Sequence, residues 1–283
     1  MFIKMCLFLQ IYGKIIKKTN YRQMKIHLYS LCWNEMDILP FVVDYWKAIG
    51  VEKAVVYDNY STDNSVNLLK SYGDWIEVRH FETQGQDDTI QRIIKSLSWK
   101  ESKGKCDYVI VCDMDEMLYS PYINEELQKM KDGGYNVMGT PWYALCFDEV
   151  PQYKPNTLLH RQGHKFYKQY INHHPRYAHL GKFMLFDPNL VDDMCYSVGC
   201  HISNPVPMIK LYETDKVFAI HINKGFSEDY FVKRRRIMNN NLSEINKANG
   251  MCVEYGKPEQ ETRNEYRKYQ EESVDVNKLY DYA

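Results

Sequence analysis

Tyr108-Val109-Ile110-Val111-Cys112-Asp113-Met114-Asp115-Glu116 decides how this chain is read. Its run of β-branched and aromatic residues predicts a fully buried strand, and that strand ends in three carboxylates, Asp113, Asp115 and Glu116. In open α/β sheets ligands collect at the carboxyl ends of the strands, so acids placed there face the crevice where a substrate lies. On an extended backbone Asp113 and Asp115 point to the same side and can share a hard divalent cation. The competing reading is a solvated acidic turn, because Asp and Glu are depleted inside strands and common just beyond them.

Upstream, the pattern alternates strand and helix. Residues 25–31 read as a strand, after which Asn34 offers an N-cap, Asp37 follows three positions on, and Ile38, Phe41, Val42, Tyr45 and Ile49 recur at helical spacing up to Gly50. Residues 53–57 read as a second strand, and the polar run 58–65 caps a helix through Tyr72. A third strand, 76–80, is followed by a glycine-containing loop, 83–86, and by a helix over 87–103 with Ile90, Ile93, Ile94 and Leu97 turned inward. Such alternation with short connections predicts a parallel sheet with right-handed crossovers and helices on both faces. No Gly-x-Gly-x-x-Gly follows the first strand and no Gly-Lys-Ser/Thr loop is present, which speaks against a dinucleotide or P-loop site. A cation on Asp113 and Asp115 is the substitute for gripping phosphate.

Beyond residue 120 the periodicity weakens. A short helix over 124–130, strands over 137–140, 183–186 and 217–221, and a long helix capped by Ser227 and running to about Ala248 are legible. Residues 141–180, with Trp142 and five histidines, carry no clear period, and the charged stretch from Tyr255 onward reads as a peripheral helix or frayed tail. The expected division is an N-terminal extension (1–23), a ligand-binding half (24–120), a second half of the same domain (121–250) and a charged tail (251–283).

Composition narrows the function classes. A formal net charge of -1 over 283 residues gives no polyanion-binding surface, so nucleic acid is not an expected partner. An aromatic content of 14%, with 24 Tyr, suits stacking on sugars and bases. Eight cysteines lie scattered without Cys-x-x-Cys or zinc spacing and read as reduced thiols. A sequon at Asn59-Tyr60-Ser61 falls in the expected site, where a glycan would block the cleft, so a cytoplasmic location is expected. Residues 1–16 are apolar but interrupted by Lys4, Gln10 and Lys14, short of the roughly 18 residues that span a membrane. Weak peripheral membrane contact through residues 1–23 is the most they predict.

Together, Leu31-Cys32-Trp33-Asn34-Glu35, Asp58-Asn59-Tyr60-Ser61-Thr62-Asp63 and Asp113-Met114-Asp115-Glu116 resemble the family-2-like glycosyltransferases of GT-A fold over roughly residues 25–120. Gly181-Lys182-Phe183 and His221-x-x-Lys224 resemble later segments of that group. The resemblance implies an α/β, mostly parallel Rossmann-like sheet with helices on both faces and a less regular acceptor-side half. It implies a nucleotide-sugar donor, UDP by default, and a glycan or other hydroxyl acceptor. Glu35, Asp58, Asn59, Gln91, Asp113, Lys182 and Lys224 would bind the donor, and Asp113, Asp115 and His221 would hold Mn2+ or Mg2+. Asp148 and Glu149, after Trp142, are the candidate bases for the acceptor hydroxyl.

Each candidate has a plainer reading. Glu35 can simply complement a helix dipole; Asp58 can form an Asx-turn and Asp63 a first-turn acid. Gln91 can be an ordinary exposed helical residue, and Arg234-Arg235-Arg236 can be a solvated face, against the reading in which one member reaches phosphate. Two other functions compete. One is a haloacid-dehalogenase-like phosphohydrolase with the first Asp as nucleophile; the other is a non-catalytic nucleotide- or sugar-binding module.

Overall fold

The computed structural model describes residues 22–147, 149–155, 157–162, 165–222 and 226–275. Residues 1–21, the bulk of the expected N-terminal extension, and with them any membrane contact, lie outside the described residues. Among the described residues no helix is long and apolar enough to cross a membrane.

The chain opens β1 (Ile26–Cys32), α1 (Leu39–Ala48), β2 (Val51–Asp58), α2 (Ser65–Lys70), β3 (Ile76–His80), α3 (Asp88–Leu97) and β4 (Tyr108–Asp113). It continues with β5 (Glu116–Tyr119), α4 (Ile123–Asp132), β6 (Val137–Gly139), β7 (Trp142–Cys146), β8 (Lys165–Lys168), β9 (Leu185–Phe186), β10 (Leu211–Glu213) and β11 (Phe218–His221). The last elements are α5 (Glu228–Asn240), α6 (Glu244–Ala248), α7 (Glu259–Glu272) and β12 (Val274–Asp275).

Two separate sheets result, and this corrects the expectation of one mostly parallel GT-A sheet with a less regular second half. The first has seven strands in the order β10-β6-β9-β4-β1-β2-β3, and the second has five in the order β12-β8-β7-β11-β5. The first is parallel from β4 through β3 and turns antiparallel where β9 enters between β4 and β6. The second is mixed, with β5 antiparallel to β11 and β11 parallel to β7. The aperiodic stretch therefore holds ordered strands. They escape a sequence reading because β7 and β8 are short and the burial of β7 is nearly continuous, so no alternation marks them.

The two sheets meet at the acidic stretch. β4 stops at Asp113, Met114 and Asp115 make the turn, and Glu116 opens β5 in the other sheet. In the first sheet Leu31 pairs with Asp113 and Cys32 with Asp58, so the loops after β1, β2 and β4 emerge along one edge. Behind them α1 buries Phe41, Tyr45 and Trp46 in the core shared with Trp142, Phe166 and Phe218 of the second sheet. Burying a large apolar side chain stabilises by about 1.5–3 kcal/mol, so this shared core fixes the sheets against each other.

Three local expectations change. Asn34 does not cap α1: it sits at φ 53, and its Oδ1 accepts from the N–H groups of Thr62 and Asp63, tying the loop after β1 to the loop after β2. The helix starts only at Leu39, with Pro40 in its first turn. On α3, Asp87 does cap, accepting from the N–H groups of Thr89 and Ile90, but the helix faces the other way. Asp88 and Lys95 are its buried residues, while Ile90, Ile93 and Leu97 are exposed. Finally, the charged C-terminal stretch forms α7, whose Tyr266 is 1% exposed and donates its hydroxyl to the Phe147 carbonyl at 2.9 Å.

Candidate active site

A cleft of about 390 Å3 opens along the edge where β1, β2 and β4 end. Its floor carries Glu35 from the loop after β1, Asn59 from the loop after β2 and the run Asp113–Glu116. α3 lines it with Asp88, Gln91, Arg92 and Lys95, and Gln169, Ile171, Lys182, His201 and His221 contribute the rest of the lining from the later half of the chain. Arg234 of α5 and residues Cys252, Glu254 and Tyr255 close it from above.

Asp113 is held by two ammonium groups. Lys95 donates to its Oδ1, and Lys182 reaches its Oδ2 at 3.4 Å while donating to Glu116 Oε1 at 2.6 Å. The Asp113 N–H donates to Glu116 Oε2 at 3.0 Å, which folds the turn back on itself. Burial pushes the Asp113 carboxyl up, but Lys95 and Lys182 outweigh it and bring it down to about 2. Lys182 owes its place to Gly181, since a Cβ there would stand 2.2 Å from Trp142 Cε3. Only a glycine lets the backbone lie against that buried indole.

Asp115 meets a different set. Arg234 donates to its Oδ2 at 3.2 Å and grips Glu35 with both terminal nitrogens, at 2.8 and 2.9 Å. His221 Nε2 lies 3.6 Å from the same Oδ2. Burial opposes ionisation of Asp115, yet His221 and Arg234 hold its carboxyl well below the usual range. Burial also raises the Glu35 carboxyl, and Arg234 offsets that only in part. The ring is oriented by a hydrogen bond between His221 Nδ1 and Gln169 Oε1 at 3.2 Å, which turns Nε2 towards the acids.

Donor atoms of Asp115, Glu116 and His221 lie within 4.8 Å of one another. Two carboxylates and an imidazole oriented from behind form a donor set that suits a divalent cation. Asp113 falls outside that group. The expectation that Asp113 and Asp115 chelate as a pair assumed an extended backbone, whereas the strand ends at Asp113 and the turn sends the two carboxylates to different partners. Glu116 joins His221 because they are cross-strand partners in the β5–β11 ladder. A sequence shows Glu116 but not that pairing.

The remaining candidates divide. Glu35, Asn59, Gln91, Asp113, Lys182 and His221 come together in the cleft. Asn59 is tied to Thr83 by two hydrogen bonds, Nδ2 to Oγ1 at 2.8 Å and Thr83 N–H to Oδ1 at 3.0 Å. Asp58 is fully buried and accepts from the Ser61 N–H and hydroxyl, an Asx-turn away from the cleft lining. Glu149 is exposed and outside the lining, while Asp148 and Lys224 lie outside the described residues. Lys95, Asp88, Gln169 and His201 were missed. Lys95 and Asp88 carried a signal in the polar spacing 88, 91, 92, 95, one helical face; Gln169 and His201 lie in loops without period.

Strand-end acids and buried cations thus share one cleft in a two-sheet α/β frame. The sequence profile of glycosyltransferase family 92 matches residues 29–185, more than half of the chain, and the chain belongs to that family. This replaces the family-2-like, GT-A assignment. No curated protein matches the chain. Among solved structures it is similar to S. aureus TarS, with 14% identity over 79% of this chain and 41% of that one, at a TM-score of 0.44. It is also similar to TarS 1-349, with 12% identity, 79% and 68% coverage and a TM-score of 0.44, and to TarS 1-349 in complex with UDP, with 14% identity, the same coverage and a TM-score of 0.43. The chain thus spans under half of the full TarS chain.

Proposed function

We propose that this chain transfers a glycosyl group from a nucleotide-sugar, a UDP-sugar by preference, to an acceptor hydroxyl. The observation that carries the reading is the cleft itself, in a member of a glycosyltransferase family: three cationic side chains, Lys95, Lys182 and Arg234, converge at the strand ends beside Asp115, Glu116 and His221. When the bond from the sugar carbon to the diphosphate oxygen breaks, its electron pair leaves on the diphosphate. Cations fixed in a water-poor cleft stabilise that charge as it develops. Asp115, Glu116 and His221 are the residues that would hold Mn2+ or Mg2+, which when bound supplies further charge neutralisation.

Glu35 and Asn59, on the loops after β1 and β2, take the nucleoside end. The acceptor enters on the side of Gln169, Ile171 and His201. His201 donates Nδ1–H to the Ile171 carbonyl at 2.8 Å, and burial, helped by Lys182, lowers its pKa to about 3. It therefore meets an acceptor hydroxyl as a neutral hydrogen-bond acceptor through Nε2. Family membership weighs against the phosphohydrolase reading; a non-catalytic binding module is told apart by turnover.

A thermal-shift panel of nucleoside diphosphates with and without manganese tests the reading, since a ligand that binds only the folded state raises Tm by mass action. UDP with manganese should give the largest rise, and UDP-sugars should be consumed with release of UDP. A flat panel would sink the proposal; binding without turnover on any hydroxyl acceptor or water would leave a binding module.

A further inference from the structure

α3 carries its apolar stripe outward and its polar stripe inward. Ile90, Ile93 and Leu97 are 36%, 40% and 56% exposed, while Asp88, Gln91, Arg92 and Lys95 line the cleft. Helix burial normally follows the apolar face, so this inversion asks what the inward polar face serves. Its Lys95 end is accounted for, because Lys95 neutralises Asp113. Seven residues back along the helix, about 10 Å away at 1.5 Å per residue, Asp88 is not.

Asp88 is 9% exposed and forms no ion pair among the described residues. Its oxygens accept only from neutral groups, Gln86 Nε2 at 3.0 Å and the Cys252 thiol at 3.3 Å. A buried carboxylate accompanied by neutral donors alone keeps lone pairs for further hydrogen bonds, and burial without them is costly. The surroundings are similarly short of partners. Among the described residues Gln86 Oε1 is buried with no hydrogen bond, as is the Nδ2 of Asn246, whose Oδ1 accepts from the Asp88 N–H at 3.1 Å.

The pocket corner is also rigid. The Gln86 N–H donates to the Asn241 carbonyl at 2.6 Å and the Ser243 N–H to the Gln86 carbonyl at 3.1 Å, so the loop before α3 is stitched to the segment that closes the cleft. Gly85, at φ +80, makes this approach possible, because a Cβ there would stand 2.3 Å from the Asn241 carbonyl oxygen.

We infer that the inward face of α3, with Asp88 at its head and Gln91 one turn on, reads the hydroxyls of the donor's glycosyl ring. The inference rests on the proposed nucleotide-sugar reaction and deepens it. The geometry fits in two ways: the distance from the Lys95 end matches one pyranose beyond a diphosphate, and the corner offers acceptors for O–H donors. An uncompensated carboxylate selects a neutral sugar with free hydroxyls there and repels a uronic acid. Asp88 is a specificity-determining residue, separate from the groups that hold diphosphate.

The test is a donor panel, UDP-glucose, UDP-galactose, their N-acetylamino forms and UDP-glucuronate, run on the full chain with UDP affinity measured alongside. Asp88→Asn should change the ratio of kcat/KM between the best and second-best donors by tenfold or more and relax the rejection of UDP-glucuronate, with UDP affinity within twofold of the parent. Gln91→Ala, on a half-buried helical position where alanine favours the helix, should shift the same ratio even if Asp88→Asn fails to fold. A uniform loss across donors, or a parallel loss of UDP affinity, would overturn the inference. A parent that binds UDP but turns over no UDP-sugar would overturn the function proposal itself and this inference with it, a result distinct from an unchanged donor ratio in an active parent.

Discussion

At the scale of the residue, Asp113 and Asp115 differ by what surrounds them rather than by what they are. Asp113 answers to Lys95 and Lys182, Asp115 to Arg234 and His221. The Asp113 carboxyl at about 2 lies below its unfolded value of about 3.9. A depressed folded pKa contributes stability that is present above the unfolded pKa and is lost as pH falls through the folded one. Asp113→Asn should therefore lower the urea midpoint at pH 7, and the gap to the parent should close between about pH 4 and pH 2. An equal gap at both ends would mean that packing, not charge, is what the substitution removes. Lys182→Met goes further, because it strips Glu116 of its ion pair in a buried setting; breaking such a pair costs about 3–5 kcal/mol. Chemical denaturation of Lys182→Met should show a loss of that order, and UDP affinity should fall with it.

Among elements, helix packing is where reading by pattern succeeded and failed most plainly. β1, β2 and β4 were legible because buried parallel strands write themselves as largely apolar runs, and the edge strand β3 because Ile76 and Val78 alternate with Glu77 and Arg79. α3 was legible as a helix but not in its orientation. Its apolar spacing is regular, and nothing local says that a polar face will be turned to a cleft. His221 and Glu116 were visible as residues, yet their convergence depends on an antiparallel ladder between elements about a hundred residues apart in sequence, which no local pattern encodes. The C-terminal helix was read as charged and peripheral for the same reason. Its charges are spent on partners, Arg235 on Glu265 and Arg263 on Glu228, Asp229 and Glu259, and the buried Tyr266 ring anchors it, with Tyr269 packed on Tyr167. Tyr266→Ala empties that anchor, and truncating a buried large aromatic costs about 3–5 kcal/mol. Limited proteolysis should then cut within residues 259–272 under conditions where the parent resists; unchanged resistance would show that α7 is held without the Tyr266 ring.

Across the whole molecule, the site belongs to no single sheet. Asp113 ends the first sheet, Glu116 and His221 sit in the second, and Arg234 arrives from α5 to bind Glu35 and Asp115 together. In the protein alone, Arg234 neutralises Asp115, so a divalent cation must compete with a guanidinium for that carboxylate. A diphosphate changes the competition, since it offers Arg234 a second anion and bidentate geometry suited to that side chain. Manganese and UDP should consequently bind with positive coupling, each raising the affinity for the other by the same factor, as linkage requires. Calorimetric titration should give a manganese affinity at least tenfold tighter in saturating UDP than without it. Arg234→Met removes the competitor as well as the diphosphate contact, so manganese alone should bind it more tightly than the parent while the coupling shrinks. Equal manganese affinity with and without UDP in the parent would show that Arg234 does not exchange between Asp115 and the diphosphate.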